Sequence, residues 1–202
     1  MAKKLSTGAT IGIVAGGIVI LILLWFVSVY NKLVKEEEKT TQAWAQVENV
    51  YQRRMDLIPN LVKTVKGAAD FERSTLEGVI EARAKASSVQ VDPSQLTEES
   101  LARFEEAQRQ LSSSLGRLMV VVERYPELKA TENFKELQAQ LEGTENRISV
   151  ERKKFNECVQ AYNTLVRRFP ANVAAGLCGF GKKAYFKAAE GADKAPEVDF
   201  AF

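Results

Sequence analysis

The chain of 202 residues contains no histidine, and this absence excludes several kinds of chemistry at the outset. Imidazole acid–base catalysis, Ser-His and Cys-His nucleophile pairs and most transition-metal sites depend on that side chain. The only two cysteines, Cys158 and Cys178, lie in apolar stretches, where a free cysteine behaves as a small hydrophobic residue. The sequence therefore predicts a protein that is not an enzyme, with no catalytic, cofactor-binding or metal site.

Excess charge of either sign is also lacking, because 28 basic residues balance 26 acidic ones. A nucleic-acid-binding protein normally shows a basic footprint, which this composition does not provide. We expect neither nucleic acid nor a small-molecule substrate as a partner.

One long apolar run stands out against this charged background. Residues 9–30 are apolar, and no charge occurs in the wider stretch 5–31. As a helix the apolar run spans about 33 Å, which is enough to cross a bilayer once. It is longer than the core of a secretory signal, and no small-residue cleavage site follows it. We therefore predict an uncleaved, single-pass anchor in residues 1–31, with the lipid bilayer as a partner.

The side of the membrane that holds the rest of the chain stays open. Lys3 and Lys4 before the span face Lys32, Lys35 and Lys39 after it, so the positive-inside rule barely discriminates between the two orientations.

Three glycines recur at four-residue spacing in the apolar run, namely Gly8, Gly12 and Gly16. Small residues at this spacing let two membrane helices approach closely, although glycine is common in membrane helices in any case. We take these glycines as candidate contacts of a homo-oligomer.

Helical periodicity of unusual length follows the apolar run. Between residues 134 and 169 apolar side chains recur in alternating steps of three and four, the seam that a heptad repeat places on one helix face. The same spacing runs through 101–122, and another apolar stripe runs through 44–79. We predict an all-α protein in which the membrane helix is followed, over residues 32–170, by an antiparallel bundle of long, coiled-coil-like helices.

Proline and capping residues place the ends of three predicted helices at 31–88, 93–124 and 131–168. Asp92 is the predicted N-cap of the second helix, and Pro93 its first residue. Pro59 lies inside the first helix, where it should cost about 3 kcal/mol relative to alanine. Because the apolar stripe continues on both sides of Pro59, we expect a kink there, and a hairpin that makes four helices is the alternative.

These lengths predict a stalk without a partner near the membrane. The first helix would extend about 87 Å, whereas the second would return only about 48 Å. Trp44, Val47, Val50 and Tyr51 would then face water as a contiguous apolar stripe, which normally marks a contact surface. We expect the same stripes of neighbouring subunits to cover it.

The apolar segment 171–180 is too short to cross a bilayer as a helix. It would line an intersubunit contact, insert at a membrane interface or cap the bundle end. Val173, Leu177 and Phe180 are its candidate contacts, and residues 171–202 form a separate C-terminal region in this interpretation.

Pairs of adjacent basic residues and one acidic residue are further candidates for binding or catalysis. Three basic pairs could bind phosphate or lipid headgroups, namely Arg53-Arg54, Arg167-Arg168 and Lys182-Lys183. A solvated face or an ion pair is favoured for each, since glutamates are abundant on the same helices. Glu145 lies near no nucleophile or metal ligand, which favours a polar contact over acid–base catalysis.

Several blocks of the sequence carry a resemblance to a known family. They are Gln52-Arg53-Arg54-Met55-Asp56-Leu57-Ile58-Pro59-Asn60-Leu61-Val62, 81–84, 115–118, 120–126, 142–148, 162–170 and 195–200. Through them the chain resembles the LemA family of bacterial membrane-anchored proteins. The resemblance implies a long-helix bundle on a single anchor in the bacterial inner membrane, and it brings no catalytic motif. Members have been linked to membrane-bound zinc proteases, and some relatives to membrane remodelling.

Two functions fit these features. The first is a structural scaffold that self-assembles on the membrane. The alternative is an adaptor that presents a membrane protein partner, such as a membrane-bound protease. An enzyme of unfamiliar type is a distant third.

Overall fold

The computed structural model describes residues 7–67 and 71–187, which form helices and connecting segments without a strand. This confirms the all-α fold class. Residues 1–6 and the C-terminal tail after residue 187 lie outside the described part of the chain. The described helices are α1 (Thr7–Lys66), α2 (Arg73–Ser88), α3 (Glu98–Val122), α4 (Pro126–Ala130), α5 (Glu132–Arg167) and α6 (Ala171–Cys178).

Helix α1 has 60 residues and runs from the apolar stretch into the bundle without a break. In the described residues it is the one helix long and apolar enough to cross a membrane, and its most apolar window is not buried against any other element. The first described side chain that the bundle buries is Leu33. We call the end of the bundle near Leu33 proximal, and the end near Lys66 distal.

Because this apolar stretch is uncovered, we expect the protein to stay with membranes through an alkaline carbonate wash. Deletion of residues 1–30 should let the wash release it, because the described residues that remain contain no helix able to cross the bilayer. Immunoblots of the pellet and supernatant measure both outcomes. Release of the intact chain by the wash would show that it is not integral.

Four helices pass back and forth along the bundle. Helix α5 runs antiparallel to α1, from a distal start to a proximal end, and α2 and α3 form the second antiparallel pair. Apolar faces of both pairs meet in the distal core, which also takes in Leu128 of α4. The largest fully buried side chains there are Ile58, Leu61, Leu111, Leu118 and Phe134.

The first bundle helix is shorter than predicted, because the chain turns after Lys66 and begins again at Arg73. Lys63 and Lys66 occupy the last turn of α1, where cations interact favourably with the helix dipole. Gly67 follows at the position where helices commonly end, and its N–H donates to the Lys63 and Thr64 carbonyls at 3.2 and 3.3 Å. The prediction of one helix over 31–88 is therefore wrong, and the reversal falls eight residues after Pro59.

Pro59 stays within α1, as predicted, and a specific contact compensates for it. Proline lacks an N–H, so the carbonyl four residues earlier, that of Met55, loses its helical partner. Arg83 of α2 supplies the missing donor, with its Nε 2.9 Å from the Met55 oxygen. The proline therefore creates an acceptor that fastens α2 to α1.

Helix α3 begins at Glu98 rather than Pro93, so the predicted cap at Asp92 is wrong. Thr97 is the N-cap, and its side chain and that of Ser100 bond to each other's backbone N–H in a capping box. Asp92 instead accepts from the N–H and hydroxyl of Ser94, at 2.8 and 2.7 Å, in a local turn. The predicted third helix, 131–168, agrees with α5 to within one residue at each end.

Candidate functional site

The three candidate glycines of the span lie on α1 and are exposed. Successive residues of a helix turn by about 100°, so Gly8, Gly12 and Gly16 fall within one narrow sector. A Cβ added at Gly12 or Gly16 would meet no atom within 4 Å. This face of α1 is therefore open, and only a partner from outside the described chain can pack on it.

The predicted proximal stripe is buried within the chain, which contradicts the unpartnered stalk. Trp44 and Val47 are fully buried, Tyr51 is 4% exposed, and Val50 is half-buried beside them. The chain itself covers these residues, so they do not offer the exposed contact surface that the helix lengths implied.

An aromatic cluster explains how the stripe is covered. The Trp44 ring lies 5.4 Å from Phe104 of α3, 5.5 Å from Phe155 of α5 and 5.8 Å from Phe186, measured between ring centroids. Tyr51 packs edge-on against Phe104 at 4.9 Å. Phe186 belongs to residues 179–187, which follow α6 and which we call the return segment.

Two asparagines of α5 fasten the return segment. Asn163 donates from Nδ2 to the Lys183 carbonyl (2.8 Å) and accepts the Lys183 N–H at Oδ1 (2.9 Å). Asn156 makes the same pair of bonds with Phe186, at 3.0 and 2.9 Å. The two asparagines are seven residues apart and so share one face of α5. Each asparagine satisfies both the backbone N–H and the backbone C=O of one residue, which lets an irregular segment lie against a helix.

Lys183 ties the return segment to two further elements. Its side chain is almost completely buried, and Nζ lies 3.2 Å from a Glu37 carboxylate oxygen of α1. The same Nζ donates to the carbonyl of Pro93, at 3.1 Å, in the loop before α3. Of the two earlier interpretations of Lys182-Lys183, the ion pair therefore describes Lys183, whereas Lys182 is exposed.

Helix α6 packs at the proximal end of the bundle. Its alanines face inward, and Ala175 meets Leu33 of α1 and Tyr162 of α5 in a small apolar cluster. Burial raises the pKa of Tyr162 to about 12, and the nearby Glu37 carboxylate contributes to the shift. Of the candidate contacts in this segment, Phe180 is half-buried, and its ring lies 5.7 Å from that of Tyr30. The other two, Val173 and Leu177, are 52% and 75% exposed.

A second polar cluster lies in the middle of the bundle around Arg54, which is only 1% exposed. Its Nη1 donates to the Ser112 hydroxyl at 2.8 Å and to a Glu145 carboxylate oxygen at 2.7 Å. Its Nη2 donates to the side-chain oxygen of Gln108. The guanidinium also lies over the Tyr51 ring, 5.1 Å from its centroid. One cation thus joins α1, α3 and α5, and the ion-pair interpretation holds for Arg54.

A cleft of about 610 Å³ opens beside this cluster. On its wall Arg152 pairs with Glu105 at 2.6 Å and lies over the Phe186 ring at 4.5 Å. Burial raises the pKa of the Glu105 carboxyl although Arg152 opposes the shift, and burial also raises the pKa of Tyr51. Within residues 7–67 and 71–187 no group of three His, Cys, Asp or Glu side chains is placed to hold a metal ion. The arrangement is one that holds three helices and the return segment in register.

The sequence did not predict that the return segment packs in the core, or that Arg54 is buried. The segment has no helical period, so its Phe186 gave no signal of burial. The asparagines at 156 and 163 were the available signal, because two amide side chains beside an apolar seam need partners. For Arg54 the signal was its position next to Met55 on the apolar stripe, where a charged side chain needs a buried partner.

The LemA family model matches residues 43–200, which is most of the chain and all of the bundle beyond the proximal turns of α1. The chain belongs to the LemA family. Residues from three of the sequence blocks that resemble the family form hydrogen bonds with one another in the middle of this LemA-family bundle. Arg54 and Met55 come from one block, and their partners Glu145 and Arg83 come from two others.

Individual relatives include proteins of two kinds. Magnetosome protein MamQ 2 of Paramagnetospirillum magneticum is 27% identical over 177 residues, which cover 78% of this chain and 64% of that protein. Magnetosome protein MamQ of Magnetospirillum gryphiswaldense is 34% identical over 74 residues, covering 37% of this chain and 27% of that protein. Protein LemA of Metamycoplasma hominis is 23% identical over 160 residues, which cover 79% and 69% of the two chains.

This LemA-family chain therefore spans less than two thirds of the length of MamQ 2. Together, the family, the relatives and the span in α1 describe a membrane-associated helical protein.

Proposed function

We propose that this protein is a non-enzymatic scaffold of the bacterial inner membrane whose copies associate through the membrane-spanning part of α1. One observation carries the proposal. Helix α1 is continuous from the exposed apolar stretch to the distal end of the bundle. Because a continuous helix has no hinge, copies that pack in the membrane hold their bundles at a fixed spacing outside it.

The open glycine face supplies the contact. In a bilayer, helices associate by close packing, since lipid tails are as apolar as the side chains they touch. Gly12 and Gly16 present backbone to the outside without any neighbour in the described chain. A second copy can therefore approach the backbone closely along this face, which holds two glycines one turn apart.

Replacing Gly12 and Gly16 with leucine tests this contact. Two added side chains keep the helices apart, so we expect the particle mass in mild detergent to fall toward that of one chain. Gly17→Leu is the matched control, because Gly17 is equally open but lies about 100° around the helix from Gly16. Sedimentation of the three proteins gives the masses. Equal masses for the wild type and the double variant would show that the glycine face does not hold the copies together.

An adaptor is the second candidate, and a cleft at the distal end favours it. The cleft has a volume of about 910 Å³ and lies where α1 ends and α4 begins, as far from the span as the bundle extends. Its lining mixes apolar and charged groups, among them Lys63, Arg124 and Leu128. A second protein that copurifies in a fixed ratio, and that is lost on Lys63→Glu, would favour this function. The exposed Lys135→Glu, outside the cleft lining, is the matched control.

A further inference from the structure

Helix α6 has an unusual distribution of side-chain size. Its inward face consists of the small residues Ala171, Ala174 and Ala175, whereas Val173 and Leu177 point outward. These two are one turn apart on one helix face. Phe169, four residues before Val173, is 79% exposed. A helix that only capped the bundle would bury its largest apolar groups, because each exposed Å² of apolar area forfeits about 25 cal/mol.

The position of α6 along α1 is fixed by direct contacts. Ala175 packs with Leu33, and half-buried Val29 adjoins the same cluster. The Phe180 ring meets that of Tyr30, the last apolar residue of the span, and Lys32 is the first charge after it. The exposed face of α6 therefore lies at the level where α1 leaves the apolar phase.

The chain segment that contains α6 carries charges of one sign only. Residues 167–187 contain five basic side chains and no acidic one. Lys183 is paired with Glu37, and Lys187 lies at the cleft beside Arg54, which leaves three exposed cations close to α6. An apolar face flanked by Lys and Arg is the pattern of a helix at a membrane surface, where cations attract anionic headgroups. The three exposed cations are Arg167, Arg168 and Lys182.

We propose that Phe169, Val173 and Leu177, which we call the α6 surface, insert into the headgroup region of the bilayer that α1 crosses. The bilayer is the occupant because the surface lies at the end of the span, is apolar and is flanked by cations. The proposal rests on the membrane anchor in the proposed function. It adds a second membrane contact, which sets the orientation of the bundle relative to the bilayer in a way that one helix cannot.

A fluorescent probe at position 177 tests the proposal in the full-length protein. In a Cys158→Ser, Cys178→Ser background, Leu177→Cys carries an NBD group, and the protein is reconstituted in phosphatidylcholine–phosphatidylglycerol nanodiscs. Nitroxide lipids labelled near the headgroup should quench the fluorescence strongly, while aqueous iodide should quench it weakly. The matched control is NBD at Val120→Cys, an equally exposed apolar site on α3 in the distal half, which iodide alone should quench.

A second labelling site controls for the possibility that the Leu177→Cys substitution itself disturbs α6. Cys178 is naturally exposed in α6, so Cys158→Ser alone permits labelling there without loss of an apolar side chain. Nitroxide quenching at both 177 and 178 supports the proposal. Quenching by iodide at the level of the Val120 control overturns it, and so does protection from both quenchers, which would mean that a second protein chain covers the surface. Failure of the anchor itself would look different, because the protein would then not enter the nanodiscs.

Discussion

Phe186→Ala is expected to destabilise the bundle by about 3–5 kcal/mol, the usual cost of removing a buried phenylalanine side chain. Phe186 is 5% exposed, and its ring lies 5.8 Å from Trp44 and 5.4 Å from Phe155. Its loss opens a cavity beside the largest side chain of the proximal core. It also removes the ring beneath the Arg152 guanidinium.

Urea unfolding followed by Trp44 fluorescence measures this effect. The chain has one other tryptophan, Trp25 in the span, so Trp25→Phe isolates the signal. Tyr185→Ala is the matched control, since Tyr185 is the preceding aromatic residue but is 42% exposed. We expect the control to change stability by less than about 0.5 kcal/mol. If both variants unfold at the same urea concentration, the return segment is not part of the core.

Glu145→Ala is expected to destabilise the bundle by about 2–3 kcal/mol, because it leaves the buried Arg54 cation without a counter-charge. The range is set at the low end for a buried pair because the Glu145 side chain is 45% exposed, and water screens part of the interaction. Ser112 and Gln108 continue to accept hydrogen bonds from Arg54, but neither supplies a negative charge.

The helix carrying Glu145 offers a close control for this prediction. Glu142 lies one turn earlier on α5, is exposed, and accepts from Gln138 at 3.0 Å, so Glu142→Ala should be nearly neutral. Glu145→Gln should fall between the two, because it keeps an acceptor for Arg54 but not the charge. Thermal unfolding midpoints of the three variants in the same detergent give the order of their stabilities. Equal midpoints for the two alanine variants would show that the Arg54 pair does not stabilise the bundle.

Sequence periodicity predicted the parts of this fold that are long and regular. The seam from Phe134 to Phe169 predicted both ends of α5 to within one residue. A repeat sustained over five heptads is typical of a single uninterrupted helix. Periodicity failed at Gly67, where the apolar pattern resumes after a short gap and a single glycine is a weak signal. That error contributed to the prediction of an unpartnered stalk, since a 58-residue helix would extend beyond its neighbours.

Long-range contacts account for the rest of what the sequence did not reveal. The burial of Trp44 depends on Phe186, which lies 142 residues later in a segment without a helical repeat. The burial of Arg54 depends on an acidic residue 91 positions away. Local patterns carry no information on such pairs. The family resemblance identified the blocks that contain Arg54 and Glu145, but it did not predict that these blocks are in contact.

The particle mass of the wild-type protein in native-lipid nanodiscs shows whether copies of the chain associate in the membrane. Mass photometry of particles extracted without detergent gives the number of copies held together by the membrane-spanning part of α1. We predict a uniform particle that contains several copies of this chain and no second protein. Particles that each contain one copy would contradict it, whether alone or with a second protein in a fixed ratio, and the latter result would favour the adaptor.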